Sequence, residues 1–418
     1  MAIFQALSTG ASGLVASGAA LSVIGNNIAN VSTVGFKGSR AEFADLISAE
    51  GGGDIGKIGL GARVGHVRTL FGQGAIEATG RALDLSIEGS GFFVLRDAQG
   101  QVFTRAGNFS KEADGRITNG LGHVLQGTPV DSAGNPTGPV QDVSVGGVQS
   151  QASPTTSISV SGNLKADEVG NGPFDGTSFQ TAYDTSNYRN SIQVFDSLGK
   201  AHEMTVFFTK SATVPNQWEV RMAVDAADTG GTAGTPQVLN GSGGTITFNS
   251  DGTYNASSNL TANVTFTGAA AQAINVDLSQ FVQYASPSGF SFVDQDGFGA
   301  GELLTLTVDE AGILSGTFDN GQTRALYQLA VANFAAAEGL TPSGNQLYRE
   351  SVESGQPILG TAQTQGNGSI LSAALEQSNV QIAQEFIDLI STQRAFQANA
   401  RVITASDQLL GDLINIIR

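Results

Sequence analysis

Residues 23–40 read VIGNNIANVSTVGFKGSR, and this stretch decides how the chain is organised. An apolar segment runs into a cluster of amides, then into a glycine, an aromatic ring and the first charged side chain. Asparagine tolerates left-handed backbone and hydrogen-bonds locally, and glycine permits a reversal, so the cluster predicts a helix end. We single out six residues as this signature turn: Asn26, Asn27, Asn30, Gly35, Phe36 and Lys37. Asn26 and Asn30 would share a helix face, where two amides could pair across a subunit boundary.

Upstream of this turn, apolar residues recur at spacings of three, four or seven positions. This heptad-like pattern predicts a helix with a packing seam. Because the chain has no charged side chain before Lys37, we expect this helix to meet protein on more than one side. Its candidate assembly residues are Ile3, Leu7, Leu14, Leu21, Ile24 and Ile28.

The C-terminal segment carries a similar and longer seam. It predicts a second helix, whose candidate assembly residues are Leu375, Ile382, Phe386, Leu389, Phe396, Ile403, Leu410 and Ile414. An ordinary pair of core helices is the simpler interpretation. Each glycine inside the N-terminal helix costs about 1 kcal/mol relative to alanine, however, and a lone two-helix hairpin buries little surface. We therefore predict that the two ends pack between copies of the chain and are disordered in the isolated monomer.

The region between the helices has a β texture. Short alternating runs such as EMTVFFTK and LLTLTVDEAG are separated by turn sequences that predict hairpins. The turns lie at Asp97–Gly100, Asp114–Gly115, Asn119–Gly120, Asp196–Gly199 and Asn320–Gly321. The fold class is therefore mainly β with long terminal α-helices.

With 418 residues, the chain exceeds the usual size of a single core. We predict a nested multidomain arrangement in which a coiled-coil terminal domain is joined to two β domains, the outer one inserted into the inner one. The segments are a terminal domain (1–32 and 372–418), a connector (33–70 and 358–371), an inner β domain (71–145 and 284–357) and an outer β domain (146–283). Residues 51–61, GGGDIGKIGLG, predict a flexible part of the connector.

Composition excludes several classes of function. A formal charge of -17 and a pI near 4.4 disfavour binding to nucleic acid or anionic membrane. The sequence has no cysteine, which excludes disulfides and thiolate chemistry. The N-terminus lacks the basic start of a secretory signal, and polar residues interrupt its apolar runs, so we expect it to be retained and not to span a membrane.

The motifs that could carry chemistry are weak. GGGDIG (51–56) follows no buried strand, and DQDGFGAGE (294–302) lacks oxygen ligands at the ends of a calcium loop. His66, His123 and His202 stand in separate segments, and the aspartates lie mostly in turns. We therefore expect no catalytic residue, no metal site and no cofactor, and we interpret the chain as a non-enzyme.

Four stretches resemble one family. IGNNIANVSTVGFKGSRAEF (24–43) resembles the N-terminal signature of the bacterial flagellar axial proteins, the rod and hook family, and residues 374–416 resemble its C-terminal signature. LDLSIEGSGFFVLR (83–96) and residues 103–127 are similar to its inner β domain. The segment 146–283 is similar to the large insertion of hook members, whereas rod members lack one.

The resemblance implies a subunit of the curved tubular hook, the universal joint that transmits motor torque from rod to filament. It implies helical self-polymerisation, export through the flagellar type III apparatus, and a place in the hook and basal body outside the cell. The implied partners are the distal rod, the hook cap and the hook-filament junction proteins.

Two alternatives stay open at this stage. A distal rod protein is the nearest one within the family. A secreted β-rich adhesin, which would use the segment around Trp218 and Tyr254, is more remote.

Overall fold

The computed structural model describes residues 2–47 and 59–416. The chain divides into two compact units. The first unit comprises Met1–Gly147, Thr305–Thr317 and Thr323–Arg418, and the second comprises Val148–Leu304 and Phe318–Gln322. Most of the predicted flexible connector, residues 51–61, lies outside the described residues.

The two predicted terminal helices are present. α1 (Ala2–Ala29) has 28 residues and α3 (Ile382–Ile416) has 35 residues. At 1.5 Å per residue, they are about 42 Å and about 52 Å long. The second unit contains a short helix, α2 (Phe179–Thr185), which begins with a capping box formed by Ser178 and Thr181. Single 3₁₀ turns lie at Ala226–Thr229 and Ala337–Gly339.

Short strands make up most of the remaining ordered chain. The first are β1 (Ser39–Ile47), β2 (Gly59–Thr69), β3 (Ile76–Ala78), β4 (Leu85–Glu88), β5 (Phe92–Asp97), β6 (Gly100–Thr104), β7 (Phe109–Lys111), β8 (Ile117–Asn119), β9 (Val124–Pro129), β10 (Gln141–Asp142) and β11 (Gln149–Ser150). Next follow β12 (Ser157–Asn163), β13 (Tyr188–Phe195), β14 (Ala201–Lys210), β15 (Gln217–Asp225), β16 (Pro236–Val238), β17 (Gly244–Phe248), β18 (Tyr254–Ser258), β19 (Thr261–Thr265), β20 (Ala271–Val282) and β21 (Gly289–Gln295). The last are β22 (Gly301–Val308), β23 (Ile313–Phe318), β24 (Thr323–Leu329), β25 (Val331–Asn333), β26 (Thr341–Gly344), β27 (Leu347–Arg349), β28 (Ile358–Gly360), β29 (Ser369–Ser372) and β30 (Ala374–Glu376).

The sheet of the first unit is antiparallel and runs in the order β24-β9-β5-β6-β27-β26. Its apolar face carries a cluster of aromatic side chains that includes Phe92, Phe103 and Tyr348. Phe71 closes this cluster edge-on, with its ring centroid 5.3 Å from Phe92 and 5.1 Å from Tyr348. The sheet combines strands that precede the second unit in the sequence with strands that follow it, so these two parts of the chain fold together.

The second unit is a β-sandwich. One sheet runs β13-β14-β15-β17-β18 and the other runs β19-β20-β12-β21. Side chains from both sheets form one buried cluster that includes Val160, Phe208, Trp218 and Phe281. Trp218 Nε1 donates a 3.0 Å hydrogen bond to Gln283 Oε1, which satisfies its buried polar atom. Two apolar sheet faces are therefore packed on each other.

The hairpin turns follow the sequence prediction. Asp97 pairs with Gly100 at the β5–β6 turn, and Asp196 accepts the Gly199 N–H at 3.0 Å between β13 and β14. The structure also adds elements to the predicted segments. The predicted connector contains the long β1–β2 pair, and β21, which lies beyond the predicted end of the outer segment at residue 283, pairs with β12 inside it.

Candidate assembly surface

α1 packs against α3 through small residues. A Cβ atom on Gly10 would lie 3.1 Å from Ile403 Cγ1, and one on Gly13 would lie 2.6 Å from Asn399 Nδ2. Nearer the turn, Asn27 Nδ2 donates a 3.0 Å hydrogen bond to Glu385 Oε1. Later residues of α1 therefore meet earlier residues of α3, and the two helices are antiparallel. The glycines permit a close approach of the two backbones, which offsets part of their cost in helix propensity.

The predicted α1 residues lie at the edge of this contact. Ile24 is buried, whereas Leu7, Leu14, Leu21 and Ile28 are half-buried and form what we call the α1 ridge. The centre of the buried face is made instead by Gly10, Ala16, Ser17, Ala20, Ile24 and Asn27. The side chain of Ile3 lies outside the described residues. Sequence periodicity predicts the helix and a seam that also passes through Gly10 and Ser17, but the candidate assembly residues were only the large apolar ones, and Ala16, Ala20 and Asn27 were not on the predicted seam.

The predicted α3 residues are divided between two faces. Leu389, Ile403 and Leu410 are half-buried, whereas Ile382, Phe386 and Phe396 are exposed. Leu375 is not in the helix at all, because it lies in β30, which pairs with β3. The side chain of Ile414 lies outside the described residues. The prediction of one seam running from Leu375 to Ile414 is therefore corrected to a helix that begins at Ile382.

α3 exposes a set of large apolar side chains that the sequence prediction contained only in part. Near its start, the exposed fractions are 47% for Ile382, 50% for Phe386, 60% for Ile387 and 49% for Ile390. We call these four residues the α3 stripe. Soluble chains rarely leave so many large apolar residues of one helix in water, and such patches mark interaction sites.

α1 also has the composition of a membrane span. Residues Gln5–Ala29 are long enough and apolar enough to cross a membrane, which differs from the sequence-based expectation. A single apolar helix near the N-terminus meets the same criterion when it packs against protein.

The asparagines of the signature turn bond within the chain. Asn30 Nδ2 donates to Asn26 Oδ1 at 3.1 Å. Asn26 lies in the last turn of α1, and Asn30 is the first residue after the helix. Asn27 is buried, and its amide brackets Ser39, accepting from Ser39 N at 2.9 Å and donating to Ser39 O at 2.8 Å. Gly35 stands at the predicted reversal and is the member of the signature turn with a left-handed backbone, with φ of +67°, whereas Asn26, Asn27 and Asn30 do not have positive φ. The asparagines therefore fasten α1 to β1.

A buried ion cluster lies next to this turn. Lys37 Nζ is 2.6 Å from Glu376 Oε1, and both side chains are fully buried. Arg105 Nη1 approaches Glu376 Oε2 at 3.4 Å. Lys37 also donates to Gly72 O at 2.8 Å, and the Gly74 N–H donates to Glu376 at 2.8 Å. We call Lys37, Arg105 and Glu376 the charge node.

Burial and ion pairing act in opposite directions in the charge node. Burial lowers the pKa of Lys37, and the neighbouring Glu376 carboxylate partly offsets this effect. Burial likewise lowers the pKa of Arg105. Because Lys37 follows α1 and Glu376 precedes α3, the node holds the bases of both helices on the β sheet. Sequence analysis selected Lys37 but missed its partner 339 residues away.

Phe36 is half-buried beside the node, and its carbonyl accepts the Asn379 N–H at 3.4 Å. Asn379 in turn accepts the Gly38 N–H at 2.8 Å and donates to Leu70 O at 2.7 Å. The signature turn and the segment before α3 are thus joined by backbone and amide hydrogen bonds as well as by charge.

The second unit contains Trp218 and Tyr254, the residues that the adhesin alternative would use. Trp218 is completely buried in the sandwich core, so its ring is not available to stack on a sugar. His202 lies between two carboxylates, with Nε2 3.2 Å from Asp196 and Nδ1 3.2 Å from Asp228. Its ring also stacks on Phe266 at 3.8 Å. His202, held between its two carboxylates, therefore packs against Phe266 of the sandwich core. Among the described residues, no group of three or more histidine, aspartate or glutamate side chains is placed to hold a metal ion.

Four family models match the chain. Residues 7–37 match the model described as "Flagella basal body rod protein", and residues 371–416 match "Flagellar basal body rod FlgEFG protein C-terminal". Residues 86–166 match "Flagellar hook protein FlgE/F/G D1 domain", and residues 163–298 match "Flagellar basal body protein FlaE D2 domain". The matches fall on the terminal helices and on both β regions.

Similar proteins align over the whole length. The chain is 34% identical over 425 residues to the flagellar hook protein FlgE of Escherichia coli, with 99% of this chain and 100% of that protein covered. The flagellar hook protein FlgE of Borreliella burgdorferi is 32% identical over 457 residues, with 99% and 100% covered. The chain belongs to the flagellar hook protein family.

As a member of the hook family, the chain is a structural subunit of the bacterial flagellar hook and is located in the hook and basal body. The relatives support this function and neither the distal rod protein nor the adhesin. The hook family is a family of structural proteins rather than enzymes. The crystal structure of the Helicobacter pylori flagellar hook protein FlgE2 is similar with a TM-score of 0.46 and 14% identity, covering 72% of this chain and 100% of that chain.

Proposed function

We propose that this hook subunit polymerises through its two terminal helices, with the α3 stripe and the α1 ridge lying against neighbouring copies. The assembly residues are those predicted on α1 and α3, without Leu375 and with Ile387 and Ile390 added. The terminal segments, 1–32 and 372–418, then act as the assembly domain. The observation that carries the proposal is the exposure of the α3 stripe.

Covering this stripe contributes a favourable free energy to association. Complete burial of a large aliphatic or aromatic side chain is worth about 1.5–3 kcal/mol. The four residues of the stripe are about half exposed, so covering all of them would contribute on the order of 4 kcal/mol per contact before entropy losses. Each subunit in a tube has several neighbours, and these contributions add along the polymer.

The geometry required is an open one. Head-to-tail contacts that do not close a ring generate a helical filament, and one chain with two different complementary surfaces is enough to make it. The α1 ridge and the α3 stripe lie on different helices of the same pair, so they are two different surfaces. One copy's ridge can therefore meet the next copy's stripe.

We further propose the division of labour expected of a universal joint. The charge node and the asparagine contacts hold the helix pair firmly on the first unit, so the helices keep the register of the polymer. The β-sandwich is a separate compact unit with its own core, which allows it to shift against neighbouring copies as the tube bends. Partners at the two ends of the tube would be the distal rod and the hook-filament junction proteins. A hook cap would bind during growth, and the flagellar export apparatus would be a further partner.

The experiment is a charge substitution in the stripe. Phe386→Asp places a carboxylate where a neighbouring copy is proposed to pack, and an unpaired charge buried there is strongly unfavourable. Val352→Asp is the matched control, because Val352 is fully exposed in the same unit and belongs to neither helix. Polymerisation of the purified chains is followed by sedimentation and electron microscopy.

The proposal expects tubes from the wild type and Val352→Asp and soluble, folded protein from Phe386→Asp. Circular dichroism checks that the β units of all three chains are folded. Tubes of normal width and yield from Phe386→Asp would overturn the assignment of the stripe to the interface.

A further inference from the structure

The sandwich of the second unit has an open edge. β21 (Gly289–Gln295) is the last strand of the sheet β19-β20-β12-β21, and within the described chain it pairs only with β12. Its seven residues are enough for a full strand. One side of β21 therefore has no strand partner in the described chain, although the Phe290 N–H donates a 3.1 Å hydrogen bond to Tyr188 Oη of β13. An edge of this kind is a template for strand pairing.

The side chains of β21 are also incompletely covered. Val293 lies opposite Val160, and residues directly opposite in an antiparallel pair point to the same face. Val160 is in the core, yet Val293 is 40% exposed. On the other face, Phe292 lies opposite Ser161 and is 58% exposed. Apolar surface is therefore open on both faces of the same edge.

This strand nevertheless has a fixed position. Phe290 lies on the core face, with its ring centroid 5.6 Å from Phe281 and 6.0 Å from Phe208. At the far end, Gln295 Oε1 accepts a 3.1 Å hydrogen bond from Thr155 Oγ1. The two ends of β21 are anchored while the middle is open. Ordering such a strand on binding has a small entropic cost.

The edge strand lacks several of the usual protections. Natural edges carry lysine, proline, bulges or inward-pointing charges that prevent pairing with other chains. β21 reads GFSFVDQ, and its single charge, Asp294, lies opposite Ser159 on the outer face. A bulge interrupts its register between Phe290 and Phe292, but the residues beyond it have no lysine or proline. A weakly protected apolar edge is a liability in a monomer and is useful in a polymer.

We propose that the open edge of β21, with Phe292 and Val293, is an interface to a second copy of this chain. This inference rests on the proposed polymerisation and names a further contact within it. The charge of the chain supports a second copy as the occupant. Every copy carries a net charge of -17, so contacts between copies are favourable only where charge is sparse. The middle of β21 is such a place.

The contact combines two kinds of interaction. A strand or loop of the neighbouring copy satisfies the free backbone groups, and its side chains cover the Phe292 and Val293 faces. The neighbour also closes the core edge at Val293, so each copy completes the sandwich of the next. The terminal helices and this edge are then two independent contacts between subunits.

The test uses the full-length chain with lysine substitutions. Phe292→Lys adds a charge on the edge, as natural edge strands do. Val169→Lys is the control, because Val169 is 78% exposed in the same unit and is not part of β21 or of its sheet. We expect Phe292→Lys to raise the critical concentration for polymerisation about tenfold. The control should stay within about twofold of wild type. Thermal unfolding confirms that both sandwiches are intact.

An accessibility measurement makes the test direct. The chain has no cysteine, so Phe292→Cys introduces a single thiol. The Phe292→Cys thiol should react with a maleimide at least about tenfold more slowly in polymers than in the monomer, whereas the Val169→Cys thiol should react at similar rates in the two states. Polymers in which Phe292→Lys has the wild-type critical concentration and Phe292→Cys reacts as fast as in the monomer would overturn the β21 proposal alone. Failure of the wild-type chain to polymerise would instead overturn the assembly proposal on which it rests.

Discussion

The β-sandwich and the terminal helix pair treat their large apolar side chains in opposite ways. In the sandwich, Phe208, Trp218 and Phe281 have no exposed surface. In α3, Phe386 and Ile387 keep 50% and 60% of theirs. The sandwich has completed its fold except at one edge, whereas the helix pair has completed only the contact between its own two members.

The difference follows from geometry. Two sheets cover each other over whole faces, but two helices cover only one stripe each. The rest of each helix needs a third partner, and α1 and α3 carry apolar residues there as well. The middle of the chain therefore folds into a unit whose apolar residues are buried. The ends of the chain keep apolar residues exposed, and we propose that copies meet there.

The largest effect on this comparison is expected from Trp218→Ala. The substitution leaves a cavity in the sandwich core and removes the partner of Gln283, so the free energy of unfolding of the second unit should fall by about 3–5 kcal/mol. Urea unfolding followed by circular dichroism measures it. Phe386→Ala is the counterpart in the helix pair and should change the unfolding free energy of the monomer by less than about 1 kcal/mol. Equal losses would remove the distinction between a finished and an unfinished core.

Glu376→Gln tests how firmly the helix bases are held. It leaves Lys37 and Arg105 buried without a countercharge, so the first unit should lose about 3–5 kcal/mol of stability. Glu338→Gln is the matched control, since it breaks an exposed ion pair with Arg68 of 3.1 Å and should cost no more than about 1 kcal/mol. Chemical unfolding of the two variants decides the matter. A loss from Glu376→Gln no larger than that of its control would show that the charge node does not anchor the helices.

Gly18→Ala concerns the free face of α1. Apart from the neighbouring backbone of α1 itself, no described atom lies within 4 Å of a Cβ placed there. Alanine should therefore stabilise the helix by about 1 kcal/mol and raise the helix content of the monomer. Gly35→Ala should act in the other direction. Its φ is +67°, and its Cβ would lie 2.5 Å from Ala106 N. Circular dichroism of both variants checks the opposite signs, and a loss of helix from Gly18→Ala would mean that its face is already covered.

The smallest effect concerns pH. Partial burial raises the pKa of Glu385, the hydrogen bond from Asn27 acts against this, and nearby Asp388 adds a smaller increase. A raised pKa in the folded state means that folding favours the protonated acid. The helix pair should therefore gain stability as pH falls through the glutamic acid range and lose it as pH rises. Glu385→Gln keeps the hydrogen-bond acceptor and should lack this dependence, which unfolding at a series of pH values would test.

Much of this architecture is predictable from local pattern. The heptad spacing predicts both terminal helices, and the D-x-x-G turns predict the hairpins at Asp97–Gly100 and Asp196–Gly199. The sequence predicts a chain reversal at Gly35, and Gly35 has the positive φ of such a reversal. These features depend on residues close in sequence, so a single sequence is enough to predict them.

Other features depend on contacts across the chain and leave no local signal. Leu375 continues the apolar spacing of α3 but pairs with β3 as a strand, because a short apolar run does not distinguish helix from strand. Nothing in the sequence around Glu376 indicates that its partners are Lys37 and Arg105. The sequence predicts Asp196 as a turn residue and indicates no role for Asp228, and only the folded sandwich brings the two to His202.

The most direct test of the account is the accessibility of the α3 stripe in the two states of the protein. In a chain without other cysteines, Ile390→Cys provides one thiol on the stripe, and its rate of reaction with a maleimide can be measured in monomer and polymer. The account predicts rapid labelling of the monomer and at least about tenfold slower labelling of the polymer, because a neighbouring copy covers the stripe. Equal rates in the two states would contradict it.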